Sequence, residues 1–280
     1  MPGVRPFGAV PVRRAATLVE LVVALALAAL VFALGGAALV SVERQQRAGS
    51  ARGAGRRAVR ETIAVLSEEL RGVDSLALRG DTAVDLLAIV GTSVVCARTA
   101  DAVVLPPETA DGGLPFTSWR AVAGAADVVA IFDASAAQWW YATADSVADA
   151  PADGCLPATG LVSPRDSSNR LRSARLRLDR PLPAGINAGA PVRVLRRGRY
   201  LLHRGTDGSW ELAYRRCSDA VLCAATQPVT GPLAPPNDRG LTFTRSADGA
   251  LLVVAVRAPR SAGGAPGDSR NGTMVVGRAP

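Results

Sequence analysis

The sequence predicts an α+β protein: one long N-terminal helix, transmembrane and then amphipathic, packed on an antiparallel β domain. Three observations carry that prediction. Leu21 to Val40 contains no charged or strongly polar side chain in twenty residues. Further on, Val59, Ile63, Leu66, Leu70 and Val73 recur at spacings of 4, 3, 4 and 3, the stripe of one helix face. From residue 75 onward the chain breaks into short β-type runs separated by Gly, Pro, Asp and Asn.

Each element has its own justification. At about 1.5 Å per residue, the twenty-residue apolar run spans about 30 Å, the thickness of a bilayer core. It exceeds the 7–15 apolar residues of a cleaved secretory signal. The second stripe, with Arg60, Glu61, Glu68, Glu69 and Arg71 on its other faces, continues the helix to about Arg71, with Gly72 as a stop signal. Its apolar face suits the core of the following domain or a coiled-coil partner helix. Gly35 and Gly36 weaken the apolar half or allow close packing against another membrane helix.

Candidate strands are Val84–Val90, Asp127–Phe132, Gln138–Thr143, Leu171–Leu178, Val192–Leu195, Arg199–His203, Trp210–Tyr214, Leu241–Arg245, Leu251–Arg257 and Thr273–Val276. Gly205-Thr206-Asp207-Gly208 and Ser246-Ala247-Asp248-Gly249 read as hairpin turns. Stretches 145–169 and 258–272 read as loops.

Composition excludes much chemistry. The chain has 280 residues and a formal net charge of +8, with arginine as its basic residue and no lysine. P-loop, Schiff-base and kinase-type lysines are therefore absent. His203 is the single histidine, so histidine-rich metal sites are excluded and a catalytic triad would rest on that one residue. In its strand context His203 reads as a solvent-facing or hydrogen-bonded side chain. No carboxylate pair stands out as a catalytic acid and base, and no cofactor or metal is expected; the chain does not read as an enzyme.

One residue disturbs the apolar segment. Glu20 abuts it, and a carboxylate at bilayer depth costs on the order of 2.5–3.5 kcal/mol unless it finds a partner. Upstream stands Arg13-Arg14-Ala15-Ala16-Thr17-Leu18-Val19-Glu20. This resembles the cleavage and methylation motif of type IV prepilins and type II secretion pseudopilins: a basic leader, a small residue, Thr-Leu-x-Glu and about twenty apolar residues.

The resemblance implies cleavage between Ala15 and Ala16 by prepilin peptidase and N-methylation of Ala16. It implies that Thr17, Leu18 and Glu20 serve assembly. Glu20, the fifth mature residue, would neutralise the N-terminal ammonium of a neighbouring subunit. The family usually has Gly before the cut and Phe after it, whereas both are Ala here, which implies slower processing. An uncleaved signal anchor is the plain alternative.

The implied organisation is a leader over 1–15, a transmembrane half-helix over 16–42, an amphipathic half over 43–74, and a periplasmic β-rich domain over 75–280. Arg5, Arg13 and Arg14 precede the apolar run and six arginines (44, 47, 52, 56, 57 and 60) follow it. A positive-inside count alone would place the C-terminal domain in the cytoplasm. That rule weakens before a long domain, and the motif requires the leader inside.

The Thr62–Arg71 stripe, with Tyr200–His203, Tyr214-Arg215-Arg216, Gly231-Pro232-Leu233, Leu241–Phe243 and Leu251–Arg257 in that order, more loosely resembles J-type minor pseudopilins and W-type minor pilins. The implied function is to initiate or cap a type IV pilus or type II pseudopilus from the inner membrane. The partners would be prepilin peptidase and other pilin-like subunits.

Cys96, Cys155, Cys217 and Cys223 all lie beyond the apolar segment, and an even count on an oxidising side favours disulfides. Four cysteines allow three connectivities. The pairing expected is Cys217 with Cys223 across a short loop, then Cys96 with Cys155. Because some pseudopilins bind calcium, the resemblance makes Asp149, Asp153 and Gly154 a candidate calcium loop, but the spacing matches no EF-hand.

Arg170, Arg172, Arg175, Arg177 and Arg180 lie in one strand-like stretch; Arg193, Arg196, Arg197 and Arg199 lie in another. If those strands paired, they would form a basic ridge able to contact nucleic-acid phosphates, with Trp139, Trp140 and Tyr141 elsewhere. A DNA-uptake minor pilin is therefore the functional alternative to an assembly subunit.

Overall fold

The computed structural model describes residues 18–108, 116–151, 155, 161, 172–219, 221–246, 251–260 and 271–277. The expected leader over 1–15, and Ala16 and Thr17 after it, lie outside them. Among the described residues, helix α1 (Leu18–Arg71) is followed by fourteen strands, an α+β arrangement. Contacts divide the protein into two units, Met1–Gly53 and Ala54–Pro280.

In the first unit, helix residues 18–42 present their apolar side chains to solvent, Leu21, Leu25, Leu30, Phe32 and Leu39 among them. The segment is long and apolar enough to cross a membrane. Gly35 and Gly36 have open space around them.

The second unit starts with the rest of α1. Ala58, Val59, Leu66 and Leu70 are buried, with Ile63 and Val65 half-buried, so the amphipathic stripe packs into this unit's own core. Burying each such Val or Leu side chain stabilises by about 1.5–3 kcal/mol. The helix stops at Arg71, one residue before Gly72.

The strands are β1 (Val73–Leu78), β2 (Ala83–Val94), β3 (Ala97–Arg98), β4 (Ala102–Leu105), β5 (Ser118–Trp119), β6 (Val128–Asp133), β7 (Gln138–Pro151), β8 (Arg172–Leu178), β9 (Pro191–Arg204), β10 (Trp210–Arg216), β11 (Gln227–Leu233), β12 (Leu241–Arg245), β13 (Leu251–Arg257) and β14 (Asn271–Gly277). Eleven of them form one sheet whose main path runs β1-β2-β9-β6-β7-β8-β4-β3, with β10, β11 and β5 as branches. The remaining three form the sheet β12-β13-β14. Every pairing is antiparallel.

Alternation sorts the strand residues between layers. The first core combines Val84, Leu86, Tyr200 and Leu202 of the large sheet with Phe243, Leu252, Val254 and Val256 of the small one and the helix stripe. A second core lies between two parts of the large sheet, joining Val129 and Ile131 of β6 and Val192 and Val194 of β9 to Leu176 and Leu178 of β8 and Val103 and Leu105 of β4. Edge strand β11 carries Pro228 and Pro232, which cannot donate to a further strand.

The differences from the expected strands have local causes. Val192–Leu195 and Arg199–His203 are one strand: Gly198 does not break β9, because the Tyr214 ring of β10 packs over it. Strand β7 runs on through the stretch read as a loop to Pro151, where half-buried Val147 and buried Ala150 alternate with exposed Asp145, Ser146, Ala148 and Asp149. Strands β1, β3, β4, β5 and β11 were not expected; they are short or interrupted by proline and charged residues. Both hairpins form, β9 to β10 and β12 to β13, although residues 247–250 of the second turn lie outside the described residues.

Candidate functional site

The residues expected to serve processing and assembly are distributed unevenly. Ala15, Ala16 and Thr17 lie outside the described residues, whereas Leu18 and Glu20 occupy the first turn of α1. Glu20 is the acidic residue of the first described turn of the helix. The apolar face that follows is exposed throughout its length.

The cysteines pair as expected, Cys96 with Cys155 and Cys217 with Cys223, with Cα–Cα separations of 5.1 Å and 3.9 Å. The first bond ties β4's neighbourhood to the end of β7 and sits in a small buried cluster with Val104 and Ala150. The second closes a loop immediately after β10. Inside it, Asp219 Oδ1 accepts hydrogen bonds from the N–H groups of Val221 (2.6 Å) and Leu222 (2.7 Å). Those bonds and the favourable field of Arg197 hold the Asp219 carboxyl below the usual carboxylate range. The loop thus holds Val221 and Leu222 in solvent, 82% and 66% exposed.

The anticipated arginine ridge does not form. Strands β8 and β9 do not pair; β6 and β7 separate them in the sheet. Arg170 lies outside the described residues, and of Arg172 only the backbone, in β8, is described. Arg175 is exposed and Arg177 faces Asp101 at 3.3 Å. On β9, three arginines are matched to carboxylates. Arg193 reaches Asp74 at 3.5 Å, Arg196 reaches Asp127 at 2.8 Å, and Arg199 reaches Asp85 at 2.5 Å.

Trp139 is not remote from these residues, as the sequence suggested. It lies beneath the Arg193 guanidinium, 4.4 Å from ring centroid to Cζ, and against Phe132 edge-on. Chain order hid that contact, because it is made across the β6–β7 hairpin and the β6–β9 pairing.

Asp127 is a buried polar centre. It is 1% exposed and accepts from Arg196 Nε at 2.9 Å, Arg196 Nη2 at 2.8 Å, Arg216 Nη2 at 3.0 Å and the Gly124 N–H at 2.8 Å. These hydrogen bonds hold the Arg196 guanidinium more firmly charged than usual, against the opposing effect of burial. At Asp85, burial pushes the carboxyl up, but hydrogen bonds and charge from Arg199 and Arg79 outweigh it and hold it below the ordinary range. Both are structural clamps between strands: their polar atoms are turned onto each other.

His203 is half-buried on β9 opposite Glu211 in register. Asp149 is exposed on β7, while Asp153 and Gly154 lie outside the described residues. Among the described residues, no group of three His, Cys, Asp or Glu side chains is placed to hold a metal ion.

A groove of about 420 Å³ runs along β5, β7 and β8, with Pro106, Trp119, Val122 and Val147 among its apolar walls and Glu108 and Asp149 also lining it. Glu108 accepts a hydrogen bond from the Trp119 N–H at 3.1 Å. The Trp119 ring in turn packs on Gly91, where any side chain would collide with it. The sequence anticipated the Cys217–Cys223 loop but neither its exposed Val221-Leu222 tip nor the groove; the one signal for the tip was an apolar Val-Leu pair between closely spaced cysteines. No family model, curated protein or solved structure matches this chain.

Proposed function

We propose that this protein is a pilin-like assembly subunit, a minor pilin or pseudopilin. In this reading it is anchored in the inner membrane by its apolar helix, carries its β domain in the periplasm, and helps to initiate or cap a pilus-like filament. The observation that carries the reading is the pairing of Glu20 with the exposed apolar helix behind it. A carboxylate at the head of a membrane-length helix is costly in lipid unless a cation meets it. The new N-terminal ammonium of a neighbouring subunit, created by cleavage before Ala16, supplies such a cation in the assembled filament.

Two disulfides agree with an oxidising compartment for the β domain. Its polar centres at Asp127 and Asp85 are saturated by arginines, which suits a rigid assembly module. Prepilin peptidase and other pilin-like subunits are the partners this role requires.

Mass spectrometry of the chain produced in a host with active prepilin peptidase tests the reading. A mature N-terminus at N-methylated Ala16 is the expected result; a chain still beginning at Met1 or Pro2 refutes it. Glu20→Ala is expected to leave the protein in the membrane but abolish its incorporation into filaments, and normal incorporation counts against the role given to Glu20.

A further inference from the structure

Two surface features of the β domain are complementary. The Cys217–Cys223 loop projects Val221 and Leu222; a disulfide closes it, Asp219 accepts from the N–H groups of both, and the Ser218 N–H donates to Leu222 O at 3.0 Å. Exposed Arg197 lies within electrostatic reach of its base. The groove offers the converse, apolar walls with exposed Glu108 and Asp149 beside them and an unusually exposed apolar residue, Val122 at 86%. Its volume of about 420 Å³ exceeds what one Val and one Leu side chain fill.

We infer that the disulfide loop of one copy seats in the groove of a second copy of this chain. Val221 and Leu222 lie against Trp119, Val122 and Val147, and Arg197 faces the groove's carboxylates. Three observations favour this occupant. Apolar surface meets apolar surface, basic meets acidic, and the disulfide with the Asp219 and Ser218 hydrogen bonds already restrains Val221 and Leu222, so docking sacrifices little conformational freedom. Knob and hole are different parts of the surface, so one knob-in-hole contact leaves a knob and a hole unused in the pair, and further copies can add to them. The inference takes its setting from the assembly reading but uses none of the helix residues on which that reading stands.

Sedimentation velocity of the full chain in a mild detergent tests it with two variants, Leu222→Asp on the knob and Val122→Asp in the groove. Both positions are exposed, so neither change disturbs a core. The wild type is expected to form dimers and higher species with rising concentration, and each variant to associate at least about tenfold more weakly, the effect of failing to bury one apolar side chain. A one-to-one mixture of the variants retains a single intact knob and a single intact groove per pair. It is expected to recover wild-type affinity and to stop at the dimer.

A wild type that stays monomeric at 100 μM concentration overturns the inference, as do variants that associate like the wild type or a mixture that associates no better than its components. Each of these results leaves the Ala16 and Glu20 tests of the assembly reading intact.

Discussion

Replacing Asp127 by alanine removes the acceptor for two guanidinium groups and one backbone N–H at a position only 1% exposed. Breaking a fully buried pair this way costs about 3–5 kcal/mol, because the remaining charge stays desolvated. Here the arginines keep some water: Arg196 is 18% exposed and Arg216 39%. The penalty is therefore smaller, about 2–3 kcal/mol. In a unit spanning Ala54–Pro280, that corresponds to a fall in Tm of about 5–10 °C.

Thermal unfolding of the full chain in detergent, followed by circular dichroism, reads the shift. A second arm separates charge burial from lost packing: Arg196→Met added to Asp127→Ala should cost less than the two single losses combined, by about 1 kcal/mol or more. A Tm change below about 2 °C for Asp127→Ala, or strict additivity in the double variant, would refute the reasoning that desolvation of Arg196 dominates.

Three further predictions concern the β domain. Gly91→Val should expel the Trp119 ring from its seat, costing about 1–3 kcal/mol and shifting tryptophan emission to the red; unchanged emission would show that the ring does not depend on Gly91. Because Asp85 is held below the ordinary carboxylate range, its contribution is present above about pH 4 and is lost as pH falls through its lowered folded value. Acid titration of Tm should therefore be shallower in Asp85→Asn, by less than about 1 kcal/mol since the clamp is partly solvated, and an identical acid limb would remove Asp85 from the account. Loop closure across a separation of 59 residues for Cys96–Cys155 against 6 for Cys217–Cys223 makes the first bond worth about 4 kcal/mol and the second about 2 kcal/mol. Denaturant midpoints of the paired Cys→Ser variants check that order, and a larger loss from the short loop would reverse it.

What the sequence by itself determined is what periodicity, length and local turn chemistry determine. A twenty-residue apolar run can only be satisfied as a helix or by burial, and the 4-3-4 stripe from Val59 to Leu70 fixes the helix face that the core receives, while Val73, the last position of the expected stripe, opens strand β1 instead. The Asp-Gly turn at Asp207-Gly208 set the β9–β10 hairpin, and the close spacing of Cys217 and Cys223 set their bond, because both depend on neighbours in the chain.

Only the tertiary structure decided which strands meet. It placed β6 and β7 between β8 and β9, which dissolved the arginine ridge and brought Trp139 beneath Arg193. It also gathered Asp127, Arg196 and Arg216 from three separate stretches into one clamp. Strand order rests on non-local hydrogen bonds and on the total apolar area two layers can bury together, and neither quantity is written in any short window of residues.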